Sequence, residues 1–315
     1  METKDPRKTF GEALIEVGEQ YENVIALSAD SCGGSGMAPF RERFPQRHVE
    51  FGIMEQGVMG FASGLALMGK IPFFAAIAPF ITGRAFEMFR NDVGYMGQNV
   101  KAVGRCAGLA FSNLGPTHVS HDDIALIRTI PGVAVVAPGD PVEIKKAVHA
   151  ACEMFGPVYI RIGGPPMPVL FDSGYDFTIG KGVVMRDGED VTLIGSGAVL
   201  SKALAASEKL KAQGVSARML NLHTIKPIDE ELIVRAARET GMIVTVEEHS
   251  IVGGLGSAVS EVIASHCPVQ VAMIGINDTF VSNGPYEELL GVYGLQVDQI
   301  VQTTKELLKQ KNGAG

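Results

Sequence analysis

Residues 71–105, IPFFAAIAPFITGRAFEMFRNDVGYMGQNVKAVGR, contain the pattern that decides the fold. The apolar run at 71–78 is typical of a buried strand, the segment 82–96 predicts a helix, and the run at 100–105 predicts a second strand. Strands that alternate with helices in this way form parallel sheets whose faces the helices cover. This unit therefore predicts an α/β fold.

The same alternation extends over the rest of the chain. Further strands are predicted at 24–28, 48–51, 133–137, 158–162, 191–194, 215–220, 242–246 and 269–274. Further helices are predicted at 9–21, where Thr9 to Glu12 has the form of a capping box, and at 54–68, 122–129, 141–154, 199–213, 229–240, 255–265 and 298–310. A Gly- and Pro-rich segment at 163–177 breaks the pattern. We therefore predict two doubly wound α/β domains, at 1–165 and 180–315, joined by a linker at 166–179.

The composition argues against several classes of function. The chain has 315 residues, 46% of them hydrophobic, which is enough for two buried cores. Its net charge is −8 and its Lys and Arg residues are scattered, so we expect no nucleic-acid partner. Gly, Pro and charged residues interrupt the most apolar stretch, 51–81, so we expect no membrane span. The four cysteines are far apart and no apolar signal segment opens the sequence, which predicts a cytoplasmic protein.

Glu55 is the first candidate for chemistry, within Phe51-Gly52-Ile53-Met54-Glu55-Gln56-Gly57. It stands where a predicted strand turns into a helix of Gly, Ala, Met, Phe and Leu. An acid in the first turn of a helix can simply complement the helix dipole. However, a carboxyl in such apolar surroundings is desolvated and can share a proton with a ligand nitrogen. From the residues alone, both interpretations remain open.

A loop with two histidines follows the strand at 100–105. It reads Leu114-Gly115-Pro116-Thr117-His118-Val119-Ser120-His121-Asp122-Asp123, and its place between a strand and a helix puts it at the sheet edge where ligands bind. The two histidines could be metal ligands, but no third ligand is suggested nearby, so we predict no metal site in this chain. Helix capping by Ser120 or Asp122 explains part of the run without any function.

Other candidates are aromatic or glycine-rich. Phe80, at a strand-to-helix turn, could stack on a flat heterocycle, whereas the neighbouring phenylalanines of the strand are expected in the core. The string Gly195-Ser196-Gly197 lacks the third glycine and the acid of a dinucleotide fingerprint, so nicotinamide binding is disfavoured. The glycines at 253–256 are more typical of close backbone packing than of a ligand loop. His223 is a loop histidine with no assigned purpose.

Taken in order, these motifs resemble the C-terminal two domains of transketolase and of deoxyxylulose-phosphate synthase. The strings concerned are Ser28-Ala29-Asp30, Met54-Glu55-Gln56-Gly57, Phe80-Ile81-Thr82-Gly83-Arg84-Ala85, Gly115-Pro116-Thr117-His118, Val135-Val136-Ala137-Pro138-Gly139-Asp140, Pro157-Val158-Tyr159-Ile160-Arg161, His223-Thr224-Ile225-Lys226-Pro227 and Val246-Glu247-Glu248-His249. Each string alone is weak, but the ordered set is specific and looks most like the β chain of a split, two-subunit transketolase. The resemblance implies a first domain that binds the pyrimidine ring of thiamine diphosphate and a transketolase C-terminal domain.

The resemblance also implies cofactor contacts and a reaction. Glu55 would face the N1′ nitrogen of the aminopyrimidine and act in catalysis through a shared proton, and Phe80 would stack on that ring. Asp30 and Ile77 would lie near the cofactor. The implied reaction transfers a two-carbon ketol unit from a ketose phosphate to an aldose phosphate.

The sugar contacts implied by the resemblance depart from the usual pattern. His118 would contact the substrate or stabilise its alkoxide, and Arg161 would bind the acceptor phosphate. Leu114 stands where full-length transketolases usually have an acid, and Cys106 replaces a substrate-facing histidine. A second arginine of the synthase type is missing after Arg161, where Ile162 follows. We therefore expect an altered ketose specificity, with Leu114 and Cys106 in the sugar pocket.

The resemblance further implies a partner. The family holds the diphosphate through Mg²⁺ with a Gly-Asp-Gly motif and a later Asn. The nearest string here, Arg186-Asp187-Gly188-Glu189-Asp190, lies in a predicted surface turn of the second domain. We therefore expect a separate N-terminal α subunit to bind the diphosphate and Mg²⁺, in an α2β2 assembly. The alternatives are a 2-oxoacid dehydrogenase E1 β-type subunit, a synthase-type half, and a non-catalytic cofactor-binding module.

Overall fold

The structure is a computed structural model that describes residues 2–313. The strands are β1 (Thr3–Lys4), β2 (Val24–Ser28), β3 (His48–Glu50), β4 (Ile71–Ile77), β5 (Lys101–Arg105), β6 (Ala134–Val136), β7 (Val158–Arg161), β8 (Met167–Pro168), β9 (Val183–Arg186), β10 (Val191–Gly195), β11 (Ala217–Asn221), β12 (Thr224–Lys226), β13 (Met242–Ser250) and β14 (Gln270–Ile276). The helices are α1 (Pro6–Gln20), α2 (Ala38–Arg43), α3 (Glu55–Leu67), α4 (Phe86–Met88), α5 (Asp123–Arg128), α6 (Pro141–Glu153), α7 (Leu200–Ala212), α8 (Glu230–Thr240), α9 (Leu255–His266), α10 (Tyr286–Val292) and α11 (Val297–Gly313).

The first domain is built on a seven-stranded sheet in the order β12-β6-β7-β5-β4-β2-β3. Its strands are parallel except β12, which pairs antiparallel with β6. Apolar side chains from both faces are buried. Phe73 packs with α1 and α6 on one face, and Phe74 packs with α3 on the other. A sheet covered on both faces directs ligands to the carboxyl ends of its strands.

The second domain has a five-stranded sheet in the order β14-β13-β10-β11-β9, parallel except for β9. The prediction of two doubly wound α/β units is therefore confirmed. Strand β12 crosses the predicted domain boundary. It comes from the second half of the chain but pairs with β6 at the edge of the first domain's sheet. The predicted linker contains β8, which pairs with β1 near the N-terminus. The stated domain limits remain a prediction.

Two local predictions were wrong. The first helix begins at Pro6 rather than at Thr9, because the Asp5 carboxylate accepts the N–H groups of Arg7 and Lys8 and so caps the helix. The predicted helix at 82–96 consists of two π-helical segments, Phe80–Arg84 and Phe89–Tyr95, on either side of α4. Short π-helical segments recur at functional sites. Across residues 2–313, no helix has both the length and the apolarity that a bilayer span requires.

Candidate active site

Glu55 is the first residue of α3, the helix that follows the edge strand β3 of the first sheet. Only 3% of its surface is exposed. No side chain caps this helix at Met54, and both carboxylate oxygens of Glu55 accept hydrogen bonds from Nη1 of Arg84, at 2.8 and 2.9 Å. A solvated first-turn acid does not fit this burial, so the interpretation of Glu55 as a buried functional carboxyl is the stronger one.

Phe80 and Arg84 lie in one π-helical segment that directly follows β4. The guanidinium of Arg84 lies over the ring of Phe80, with its central carbon 4.0 Å from the ring centroid. This stacking is a cation–π contact. Arg84 therefore connects the aromatic face to the buried carboxylate. The sequence predicts no role for Arg84, although its spacing of four residues from Phe80 in a helical segment is a usable signal.

His118 completes the cluster from the other side of Phe80. Its imidazole meets the Phe80 ring edge-on, with 5.2 Å between ring centroids and 71° between planes. The Thr117 hydroxyl lies 3.0 Å from Nδ1 of His118, which fixes the orientation of the ring. Glu55, Arg84, Phe80 and His118 thus form one continuous group, as expected from the shared sheet edge. Leu114, in the same loop as His118, is 52% exposed.

Ile77 and Cys106 lie at the same edge on neighbouring strands. Ile77 is the last residue of β4 and pairs with Arg105 at the end of β5, and Cys106 follows directly. Cys106 is buried with a φ of +51°. Burial raises the pKa of its thiol, although Nη1 of Arg105 lies 3.6 Å from the sulfur and partly opposes that rise. Cys106 is therefore a neutral thiol near pH 7. The predicted cofactor and sugar roles of these residues remain predictions.

Asp30 is exposed at the end of the neighbouring strand β2, with a φ of +54°. Its N–H donates to Oε1 of Glu50 at 2.6 Å, and the same oxygen accepts the N–H groups of Phe51 and Gly52. Burial alone would raise the pKa of Glu50, but hydrogen bonds from Ser28 and from these N–H groups lower it instead. Glu50 thus organises the loop ahead of Glu55, a role that was not predicted from the sequence.

Arg161 lies at the junction of the two domains, between Asp123 of the first and Glu248 of the second. Its Nε donates to both oxygens of Asp123, at 3.2 and 2.9 Å, and its Nη2 donates to the carbonyls of Ser120 and Glu248. Both side chains are buried, and burial alone would raise the pKa of Asp123, but the guanidinium lowers it. These contacts engage Nε and Nη2 of the guanidinium inside the protein, and the predicted phosphate contact of Arg161 stays a prediction.

The surroundings of the remaining candidates, His223 and the glycines at 253–256, indicate a structural role. His223 is buried and stacks on Phe177, with 4.1 Å between ring centroids, and burial lowers its pKa to about 4. A Cβ added at Gly254 would clash with Oε2 of Glu247, so the glycine at this position allows close packing of the backbone. Among the residues that the structure describes, no three or more His, Cys, Asp or Glu side chains form a group that could hold a metal ion.

Comparison with known proteins places the chain in a family. Residues 2–164 match the transketolase pyrimidine-binding domain, and residues 180–300 match the transketolase C-terminal domain. The chain belongs to the transketolase family. The predicted family and fold class are therefore confirmed. Members of the family are transferases that use thiamine diphosphate and a divalent metal ion.

Several members of the family match this transketolase-family chain almost end to end. A putative transketolase C-terminal section of Methanocaldococcus jannaschii is 42% identical over 98% of each chain. One of the subunits of an apulose-4-phosphate transketolase from Phocaeicola vulgatus is 38% identical over 96% of this chain and 97% of that one. Among solved structures, a split-gene transketolase described as an inactive β4 tetramer is 40% identical with a TM-score of 0.91, covering 97% of this chain and 98% of that chain.

The Glu55 group fits the aminopyrimidine of thiamine diphosphate. The guanidinium of Arg84 is a flat cation with N–H donors, and it touches both the face of Phe80 and the oxygens of Glu55. A flat, N–H-bearing group of the chain itself therefore occupies the position between these two residues. A carboxylate that accepts a hydrogen bond, beside an aromatic face, suits a flat ring whose protonated nitrogen donates one.

Proposed function

We propose that this chain is the β subunit of a thiamine diphosphate-dependent transketolase that moves a two-carbon ketol unit from a specialised ketose phosphate to an aldose phosphate. The observation that carries the proposal is the buried carboxylate of Glu55 in one group with Phe80 and His118. An acid, a stacking face and a polar side chain at one sheet edge suit a reaction that needs both a bound heterocycle and a bound sugar.

Each residue of the group has a distinct task in this proposal. When bound, thiamine diphosphate supplies the thiazolium that carries the two-carbon unit. Glu55 holds a proton at the pyrimidine ring nitrogen, and its burial keeps water from competing for that proton. Phe80 presents its face to the ring and sets the plane of the heterocycle. His118, fixed by Thr117, directs its remaining ring nitrogen to a sugar oxygen.

Arg84 has to leave its present position for this site to operate. Its guanidinium uses the same face of Phe80 and the same oxygens of Glu55 that the pyrimidine would need. Its side chain is 38% exposed, so it has a route outward into solvent. The binding of the cofactor is therefore an exchange in which a neutral or protonated ring replaces the guanidinium.

A separate α subunit is proposed to bind the diphosphate and Mg²⁺, with the cofactor at the interface of an α2β2 assembly. Two observations support this arrangement. The relatives matched end to end are named as a C-terminal section and as one subunit of a transketolase, and the solved assembly made only of β subunits is described as inactive. The family identity itself does not set the stoichiometry.

The sugar is proposed to differ from the common pentose phosphates. Leu114 is an exposed apolar side chain in the loop that carries His118, and Cys106 is a buried neutral thiol at the same edge. Neither offers the charge or the ring nitrogen that would bind a sugar hydroxyl strongly. A relative that acts on apulose 4-phosphate, with 38% identity, supports a specialised ketose.

Reconstitution tests this proposal. The chain would be co-expressed with a subunit that carries the diphosphate-binding domain, and ketol transfer would be measured with a panel of ketose phosphates while each component is omitted in turn. We expect transfer only when both subunits, thiamine diphosphate and Mg²⁺ are present. Equal turnover of xylulose 5-phosphate with ribose 5-phosphate would contradict the specialised sugar. Reduction of a lipoyl carrier or use of pyruvate would favour an E1-type or a synthase-type half instead.

A further inference from the structure

The loop that carries Leu114 and His118 is closed by its own backbone. Gly108 and Ser120 exchange two hydrogen bonds, N–H of Gly108 to the Ser120 carbonyl at 3.0 Å and N–H of Ser120 to the Gly108 carbonyl at 3.1 Å. We name residues 108–120 the sugar loop. This pair holds the two ends of the loop together, and we call these paired ends its stem. Any group that fixes the stem therefore also fixes the positions of Leu114 and His118.

The sugar loop belongs to the first domain in sequence but packs on the second. Leu109 and Val119, one on each side of the stem, are buried in the hydrophobic core of the second domain together with Val244 and Val246 of β13. Two buried aliphatic side chains anchor the loop there. The second domain thus forms the surface on which the loop rests.

Glu248 of β13 reaches across the domain boundary to the stem of the loop. Its Oε1 accepts the N–H of Leu109 at 2.6 Å, and its Oε2 accepts the Tyr286 hydroxyl at 2.8 Å. The carboxylate lies against the α-carbon of Gly108, where an added Cβ would be 2.3 Å from Oε1, and Gly108 has a φ of +68°. The buried carboxylate of Glu248 therefore fixes the position of the stem, through a hydrogen bond to Leu109 and through van der Waals contact with Gly108.

A second attachment holds the tip of the loop. The Ser112 hydroxyl donates to the Gly284 carbonyl at 2.8 Å. At Gly115, just after Leu114, an added Cβ would lie 2.6 Å from Oδ1 of Asn283. The segment ahead of α10 thus touches the loop between its two sugar-facing residues.

We propose that Glu248 is a positioning residue for the sugar pocket, and that the second domain thereby takes part in sugar specificity. This inference rests on the proposed function, because it assigns the sugar to Leu114 and His118. Glu248 acts on substrate through the backbone of the sugar loop.

Glu247 provides a matched control one residue away. It lies on the same strand and is equally buried, but its oxygens accept the N–H groups of Leu255 and Gly256, at 2.6 and 2.8 Å, at the start of α9 in its own domain. A variant at Glu247 damages the second domain without touching the sugar loop. It therefore separates a general loss of stability from a loss of loop position.

The test compares Glu248→Ala, Glu248→Gln and Glu247→Ala in the reconstituted pair. Glu248→Ala should raise the KM for the ketose about tenfold, which corresponds to about 1.4 kcal/mol, while half-saturation by thiamine diphosphate stays within about twofold. Glu248→Gln keeps an oxygen acceptor of the same shape and should restore most of the affinity. Glu247→Ala should lower the melting temperature and leave the ketose KM unchanged.

Hydrogen–deuterium exchange on the chain alone gives a second readout. The sugar loop should exchange faster in Glu248→Ala than in Glu247→Ala. Ser112→Ala, which removes one hydroxyl at the loop tip, should raise the ketose KM about threefold if Glu248→Ala does not fold. Unchanged loop exchange and unchanged KM in Glu248→Ala, or an equal rise of KM in Glu247→Ala, would overturn the proposal. Absence of ketol transfer in the unmodified pair would refute the proposed function, and loop exchange would still decide the role of Glu248.

Discussion

Removing Arg84 should tighten the binding of thiamine diphosphate. In the structure, the Arg84 guanidinium bonds to both oxygens of Glu55 and stacks on Phe80, which are the two groups assigned to the pyrimidine ring. The ring must break these contacts before it can make its own. Arg84→Ala removes them beforehand, so the full interaction of the ring with Glu55 and Phe80 becomes available for affinity.

The structure sets the magnitude of this effect. A hydrogen bond to a charged acceptor contributes about 1.5–3 kcal/mol and an exposed cation–π contact about 0.5–1 kcal/mol. Solvent screening reduces both, since the Arg84 side chain is 38% exposed. A net value of about 1–2 kcal/mol corresponds to a roughly 5- to 30-fold lower Kd. Arg84→Lys, which keeps the charge but loses the flat stacking group, should lie between Arg84→Ala and the unmodified chain.

Isothermal titration calorimetry of the reconstituted pair with thiamine diphosphate and Mg²⁺ measures this Kd directly. Arg90→Ala is the matched control, because Arg90 lies in the second π-helical segment, is exposed, and bonds to the side chain of Asn91. We expect no change in Kd for the control. An unchanged or higher Kd in Arg84→Ala would refute the reasoning, since it would mean that Arg84 does not compete with the ring or that it supports the bound state.

Three further predictions test other parts of the site and the fold. Phe80→Leu should raise the thiamine diphosphate Kd about threefold to tenfold in the same calorimetric titration, because the stacking face is lost. Leu114→Asp combined with Cys106→His should raise kcat/KM for xylulose 5-phosphate, measured in the coupled ketol-transfer assay, because both changes supply polar groups to the sugar; no gain would argue against their place in the pocket. Burial lowers the pKa of His223 to about 4 in the folded chain. The unfolded chain binds a proton at His223 below about pH 6.5, whereas the folded chain binds it only near pH 4, so the free energy of unfolding decreases as the pH falls from about 6.5 to about 4. His223→Phe should reduce that loss by up to about 1.4 kcal/mol per pH unit in urea unfolding, and an unchanged loss would contradict this explanation.

The sequence predicted the fold well where local patterns were strong. The strand at 24–28 agrees with β2 to the residue, and the unit at 71–105 supplies two neighbouring parallel strands of the first sheet. Buried parallel strands are short, continuous apolar runs, and such runs are readable without knowledge of the partner strand. β12 was missed because it has three residues and pairs across the domain boundary, so no periodic pattern marks it.

The part of the candidate site that lies at one sheet edge could be predicted from the sequence. Glu55, Phe80 and His118 were expected there and lie in one group. Arg84 was missed because the sequence gives no sign of the π-helical geometry that lays its guanidinium over Phe80. The resemblance implies a phosphate contact for Arg161, which stays a prediction. The bond of Arg161 to Asp123 depends on tertiary packing and was not predictable from the sequence.

The role of Glu248 could not be predicted for a different reason, which is the sequence separation between Glu248 and its partner. Its hydrogen bond to Leu109 joins residues 139 positions apart. No local pattern encodes such a contact, and as one of two adjacent glutamates on a buried strand it could not be told from Glu247 by sequence alone. The distinction between the two becomes visible only when the partner of each carboxylate is known.

The most direct test of the central claim is the ketol-transfer rate of the reconstituted pair with Glu55→Gln. Glutamine keeps the shape of the side chain but cannot hold the proton at the pyrimidine nitrogen, so kcat should fall at least about 100-fold at saturating thiamine diphosphate. Glu87→Gln, at an exposed acid of α4, should leave kcat unchanged. A Glu55→Gln pair with near-normal kcat would contradict the assignment of Glu55 as the carboxyl that activates the cofactor.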